Sequence, residues 1–185
     1  SIKFLNLLKK RMLFPADFNN VGVENNEKWA KVRSLYLPDD LIEEYFDNSS
    51  ASTGFAKQND LDEIPGYKNL LTKLGVTSLL RPVHHEKSNH QKSQIIIQLK
   101  VKSLSSYGDK SEDWTFLDLD EILNNIDINK SKLIWKSIVN LPDRYYKAYF
   151  IYFWYKNINH AYHVPHFINL LKKHSWLYVQ GKAYK

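Results

Sequence analysis

A heptapeptide near the start of the chain, Phe4-Leu5-Asn6-Leu7-Leu8-Lys9-Lys10, returns near its other end as Phe167-Ile168-Asn169-Leu170-Leu171-Lys172-Lys173, identical at six of seven positions with an offset of 163 residues. Such a recurrence constrains the fold more than any local propensity does. Two copies of one amphipathic pattern are expected to adopt one conformation and to bury the same side chains. Phe4, Leu7, Leu8 and Met12 recur at helical spacing, with Asn6, Lys9 and Lys10 on the other side, so each copy predicts a short helix. Met12 to Pro15 then leaves the first helix as an extended segment. Pro165 opens the second copy, after which Trp176 to Val179, Gln180-Gly181 and Lys182 to Tyr184 have the form of a hairpin with a two-residue turn. The second copy stops at Lys185 just as it begins to extend. The expectation is a single module over residues 1–185, spanning one full repeat and cut from a longer multidomain chain, with copies beginning at 4 and 167.

The intervening sequence predicts an α+β fold of short amphipathic helices and small antiparallel strands. A polar, Asn-rich loop is expected after Pro15, and Val32 to Leu37 reads as a strand. Pro38 opens a helix in which Asp40 caps with Glu43 three residues on and Leu41, Ile42, Tyr45 and Phe46 are buried. Residues 47–60 have loop composition. Tyr67 to Leu74 predicts a helix with Leu70, Leu71 and Leu74 inward, and Gly75 stands where a left-handed cap belongs. Residues 84–94 and 103–113 read as polar loops flanking a β-branched strand over 95–101. Helices are expected over 117–125, burying Leu119, Ile122 and Leu123, and over 130–140, burying Leu133, Ile134 and Ile138 before Pro142 stops it. The aromatic run Tyr145 to Tyr155 reads two ways: Tyr145, Tyr149 and Phe153 share one helical face, while the high β propensity favours a strand that turns at 156–159 and returns through His163.

With 43% hydrophobic and 25% charged residues the chain can build a core, and wholesale disorder is excluded. Its apolar runs fall short of the roughly 18 to 20 residues of a membrane span, so no membrane partner is expected. The absence of cysteine rules out disulfides and thiolate metal sites, which fits a cytoplasmic setting. The net charge of +6 is laid down in alternating blocks: +4 over residues 1–38, −7 over 39–66, +6 over 67–110, −6 over 111–128 and +9 over 129–185. Blocks of opposite sign can pair internally, and only the C-terminal one favours a polyanionic partner.

Several segments together resemble a known family. They are the Leu-rich helix, the Trp-Leu hairpin with its Gly-Lys turn (Trp176, Leu177, Gly181, Lys182), the Leu-Tyr-Leu-Pro element before an acidic helix (Leu35 to Phe46), the Leu74-Gly75-Val76 helix end, and Asp127, Ser131 and Trp135 at four-residue spacing. The chain is similar in these to the repeat region of large sacsin-like proteins, which carry a chaperone, gyrase and histidine-kinase type ATPase domain elsewhere in the chain. Tyr178 stands where that pattern has Pro, and the first copy has no Trp. The resemblance implies a non-catalytic scaffold that couples the ATPase domain to protein partners and to other domains of the same protein.

The chemistry-bearing residues point the same way. The glycines stand at 22, 54, 66, 75, 108 and 181, none closer than nine residues to the next, whereas phosphate-cradling loops need closely spaced glycines so that backbone amides can reach the phosphates. His85-Glu86 with His90 misses the i, i+4 spacing that puts two metal ligands on one helix face. His160, His163 and His166 are spaced for one side of a helix, but Pro165 breaks it. Gln98-Leu99-Lys100 with Asp60 or Asp62 imitates a magnesium nuclease without the usual second carboxylate, and Asp118, Asp120 and Glu121 read as a helix N-terminus. Rings between Tyr145 and Lys156 could stack bases while lysines meet phosphate. The segment is therefore expected to have no catalytic, cofactor-binding or metal-ligating residues. The alternative is a nucleic-acid-binding or nuclease module of a bacterial restriction or defence protein, with weak, salt-dependent binding.

Overall fold

The computed structural model describes residues 2–18, 29–47, 53–86, 111–154, 157–179 and 181–184, with side chains omitted for 2–5, 111, 150, 152–154, 157–159 and 183. The fold is mixed α+β. In chain order its elements are α1 (Ile2–Arg11), β1 (Leu13–Phe18), β2 (Trp29–Lys31), a 3-10 turn (Val32–Ser34), β3 (Leu35–Tyr36), α2 (Asp40–Phe46), β4 (Gly54–Ala56), α3 (Gln58–Glu63), α4 (Tyr67–Leu74) and β5 (Val83–His84). They continue with β6 (Ser111–Glu112), β7 (Trp114–Thr115), α5 (Leu119–Asn124), α6 (Ile128–Val139), a 3-10 turn (Asp143–Tyr146), β8 (Ala148–Trp154), β9 (Asn157–His163), α7 (His166–Lys173), β10 (Leu177–Val179) and β11 (Lys182–Tyr184). The chain gathers into two compact units, Ser1–Leu80 with Ile126–Ser137 and Arg81–Asn125 with Ile138–Lys185.

The first unit is organised by a four-stranded sheet in the order β2-β1-β4-β3. β1 divides its length between two neighbours. Leu13, Phe14 and Pro15 lie opposite Lys31, Ala30 and Trp29, and Ala16, Asp17 and Phe18 lie opposite Ala56, Phe55 and Gly54. Pro15, which has no N–H to give, sits where pairing passes from one neighbour to the other, a place where a missing ladder bond costs least. β3 joins β4 in parallel, so the residues 47–60, expected as loop, contribute an inner strand and the helix α3. Val32 to Leu37, expected as one strand, is a 3-10 turn followed by the two residues of β3. Phe14, Ala16, Ala30, Val32, Leu35, Ala56, Leu71, Leu74 and Val76 form the core, with Leu8 and Tyr67 packed on it.

Helix ends follow local chemistry. α2 is capped by Asp39, one residue earlier than expected, through its carboxylate and the Leu41 N–H at 3.1 Å. α4 has the predicted bounds and ends on Gly75 at φ 91°. The Gly75 N–H donates to the Thr72 carbonyl and the Val76 N–H to that of Leu71, a left-handed cap clamped by the buried Val76. Leu70, expected inward, is exposed. α6 is capped by Asp127, whose Oδ1 accepts the N–H groups of Asn129 and Lys130 at 2.9 and 2.8 Å.

In the second unit β8 and β9 form the predicted hairpin, flanked by β6 in the order β6-β8-β9, while β5 pairs with β7 and β10 with β11. Pairing resumes at Asn157 opposite Trp154, so the strands turn earlier than the expected 156–159. Of the region expected as loop over 103–113, Ser111 and Glu112 are strand. α5 buries Leu119, Ile122 and Leu123 as expected, and α7 packs against it and against β7. Of the Asn-rich loop expected between Pro15 and Val32, residues 16–18 and 29–31 are strand, and the rest lies outside the described residues, as do most of the 84–94 loop and the strand expected over 95–101.

Both copies of the heptapeptide are helices followed by a strand. Their burial differs. Leu170 is 8% exposed and Leu171 is buried, whereas Leu7, expected to match Leu170, is 50% exposed, and Leu8 packs against the core. The expected burial of Phe4 lies outside the described side chains. The strands differ too, since β1 is an inner strand of a sheet and β10 half of a hairpin.

Candidate functional site

The feature of the second unit that is least explained by folding is a set of aromatic rings turned away from its core. Successive side chains of a strand alternate between faces. Ala148 and Ala161 are buried, so Tyr149, His160 and Tyr162 share the opposite face of the β8–β9 ribbon. Tyr149 and Tyr162 are cross-strand partners with ring centres 6.2 Å apart, and the His160 ring lies 5.0 Å from Tyr149 and 6.2 Å from Tyr162. Tyr162 is 59% exposed, far more than a ring serving the core. Tyr149 is held at its edge by Glu112, its partner on β6. Burial first, then the hydrogen bond to Glu112 and the nearby charge, push the Tyr149 hydroxyl above its ordinary value of 10.0. The exposed Lys147, two residues before Tyr149 on extended backbone, lies on the same side.

A second row of rings hangs on the same short segment. Trp114 packs edge-on to His84, its partner on β5, at 6.3 Å and to Tyr145 at 4.9 Å. The Arg144 guanidinium lies over the Tyr145 ring at 4.7 Å and donates to its hydroxyl at 2.8 Å. Between Glu112 and Trp114 stands Asp113, fully buried. Its Oδ1 accepts the N–H groups of Trp114 and His166, both at 2.8 Å, and its carbonyl accepts the His85 N–H at 2.8 Å. The His85 and His166 rings stack at 3.6 Å and 7°. Asp113 thus pins the ring-bearing segment to the start of α7.

Charge is divided unequally between the units. The second holds thirteen Lys and Arg against eight Asp and Glu, a net +5 of the chain's +6, together with all seven histidines. The first unit bears instead an acidic hollow of about 370 Å³, lined by Asp17, Phe18, Pro38, Glu43, Asp47, Phe55, Ala56 and Gln58. Burial, then the charges of Asp40 and Asp39, raise the Glu43 carboxyl above its ordinary value, against the opposing pull of a hydrogen bond from the Asp39 backbone.

The sequence candidates do not converge. His160 and His163 lie on β9 three residues apart, hence on opposite faces, and His166 heads α7. Asp62 accepts from the Gln58 side chain at 2.9 Å within α3. Asp118 stands before α5 at φ 54°, with Asp120 and Glu121 in the helix's first turn. Asp127, Ser131 and Trp135 prove to be a capped helix turn: the Ser131 N–H donates to the Asp127 carbonyl, and Trp135 is exposed. His90, Gln98 and Lys100 lie outside the described residues. Among the described residues no group of three His, Cys, Asp or Glu is placed to hold a metal ion, and no helix is long and apolar enough to cross a membrane.

Sequence reasoning marked the rings from Tyr145 to Lys156 as candidates for base stacking but missed Asp113 and the pairing of Tyr149 with Tyr162, which follows from the β8–β9 register. Asp113 had no signal in the sequence, since its distant partners are His85, just after β5, and His166 at the start of α7. No protein-family model, curated protein or solved structure matches the chain.

Proposed function

We propose that this chain is a non-catalytic interaction module of a large sacsin-like protein, coupling a chaperone-type ATPase domain elsewhere in the parent chain to its partners. The observation that carries the reading is the unequal burial of the two repeat copies. α7 covers Leu170 with its own unit, but the equivalent Leu7 is half exposed, and it belongs to a first unit that also exposes Met12, Leu13 and Trp29. A surface leucine is ordinary; four large apolar side chains on α1, the residue after it, the start of β1 and the edge strand β2 offer a surface suited to another protein element. A neighbouring domain of the same parent would cover Leu7 as the second unit covers Leu170. Phosphate chemistry belongs to that neighbour, because the spacing of the glycines here provides no nucleotide loop.

The reading frame and a titration test this. An ATPase domain of that superfamily should be encoded in the same chain and should bind the 185-residue segment calorimetrically. Leu7→Asp combined with Trp29→Asp should weaken that binding at least about tenfold, equivalent to about 1.4 kcal/mol. A parent without such a domain, or binding indifferent to both substitutions, would overturn the reading.

A further inference from the structure

We infer that the outward ring face of the second unit, centred on Tyr149, His160 and Tyr162, binds single-stranded nucleic acid. The inference is independent of the docking surface on the first unit. Three observations support it together.

The first is that three rings stand together on the side of the ribbon turned away from the buried Ala148 and Ala161: Tyr149, His160 and Tyr162, with Tyr162 59% exposed. Rings held side by side on a rigid sheet can accept bases by stacking, which every base permits and which requires bases that are not already paired and stacked.

Second, the cations lie where a backbone would run. Arg144 is fixed over Tyr145 by a ring contact and a hydrogen bond, and Lys147 shares the face of Tyr149. Stacking rings bordered by Arg and Lys are the combination that follows a strand of nucleotides, with rings meeting bases and cations meeting phosphate.

Third, the unit that carries the face carries net +5, whereas the first unit carries thirteen basic and twelve acidic residues, net +1. A polyanion is drawn to the second unit. Glu112, the cross-strand partner of Tyr149, is engaged with the Tyr149 hydroxyl. Among the described residues no side-chain pattern on this face reads base edges, so binding is expected to be indifferent to sequence and sensitive to salt.

The test is fluorescence anisotropy on the full chain with labelled 20-nucleotide oligo-dT, oligo-U and a duplex of equal length, at 50 and 200 mM salt. Both single strands should bind at the lower salt, more tightly than the duplex, and lose affinity at the higher; a preference between dT and U assigns the face to DNA or RNA. Tyr162→Ala should weaken binding about tenfold or more, Tyr162→Phe should retain it, and Lys147→Gln should lower the salt slope by about one. Tyr184→Ala, which removes an exposed ring from the β10–β11 hairpin, should leave it unchanged. No binding at 50 mM salt, equal binding of duplex and single strand, or equal loss with Tyr162→Ala and Tyr184→Ala would overturn the inference. So would vesicle binding that depends on Tyr162 without oligonucleotide binding.

Discussion

The carboxylate of Asp113 accepts the backbone N–H of His166, 53 residues further along the chain, at 2.8 Å, in a site where Asp113 is fully buried. Because the same oxygen also accepts the Trp114 N–H, one buried acceptor orders both the strand segment that carries the rings and the first turn of α7. A buried backbone N–H that loses its acceptor costs about 1 to 3 kcal/mol. Asp113→Ala is therefore expected to destabilise the protein by about 2 to 4 kcal/mol in urea unfolding. Asp113→Asn keeps an acceptor oxygen and should cost clearly less. Equal losses for the two would show that the charge, and not these hydrogen bonds, is what the site needs.

Gly54 begins β4 in a place with no room for a side chain. A Cβ built there would lie 3.0 Å from the Ala30 Cβ and 3.3 Å from the Ala16 Cβ, atoms on two strands that cannot swing aside. The alanines at 16, 30 and 56 and the glycine at 54 are the small residues that let the sheet's inner layer close. Gly54→Ala should cost about 1 to 3 kcal/mol, as overpacking does. The comparison is Gly66→Ala, where the Cβ would meet nothing and any loss comes from the left-handed backbone at φ 79°. Thermal melts of the two should separate clash from backbone strain.

The two heptapeptides give a paired prediction. Leu170→Ala should cost about 2 to 5 kcal/mol as a core leucine, whereas Leu7→Ala, at a half-exposed position, should change stability by less than about half a kcal/mol. A large loss at Leu7 in the isolated chain would mean that the position is covered in solution.

That pair also shows how far sequence could be read. Helix and extended segment were legible in both copies because periodicity and Pro are local signals. Burial was not legible, because it depends on what the rest of the chain brings up to the helix: α5 and β7 pack on α7, while α1 packs near α4, β2 and the 3-10 turn and leaves Leu7 half exposed. The same division holds for the ring face. A strand over Tyr145 to Tyr155 followed from β propensity, but the polar Asn157-Ile158-Asn159 suggested a turn too late, and the partners of Tyr149 followed only from the observed register. β4 was invisible for the opposite reason. Gly54-Phe55-Ala56 sits in a Ser-rich stretch of loop composition, and it is strand because β1 and β3 offer it two edges.

Two carboxylates on helix N-termini should respond to acid with opposite sign. For Asp127, burial works to raise the pKa. The Lys130 side chain, together with the backbone N–H groups of Lys130 and Asn129, overcomes it and holds the carboxyl below its ordinary value of 3.8. The folded state thus favours the ionised form, so its stabilisation is complete above about 3.8 and is lost as pH falls through the lower folded value. Glu43 is held above its ordinary 4.5 by burial and by Asp40 and Asp39. Here the folded state favours the protonated form, so the stabilisation is present below 4.5 and is lost as pH rises through the higher folded value. At pH 7, Asp127→Ala should cost about 1 kcal/mol, as for other lost caps. Glu43→Gln retains an acceptor for the Asp39 N–H and removes the repulsion, and should leave stability unchanged or raise it by a few tenths of a kcal/mol, the scale of exposed charge effects. Urea unfolding at pH 7, 4.5 and 3 provides the check. The loss caused by Asp127→Ala should shrink toward pH 3, and any gain from Glu43→Gln should vanish below 4.5. A penalty for Asp127→Ala that is the same at all three pH values would mean that its hydrogen bonds act without its charge.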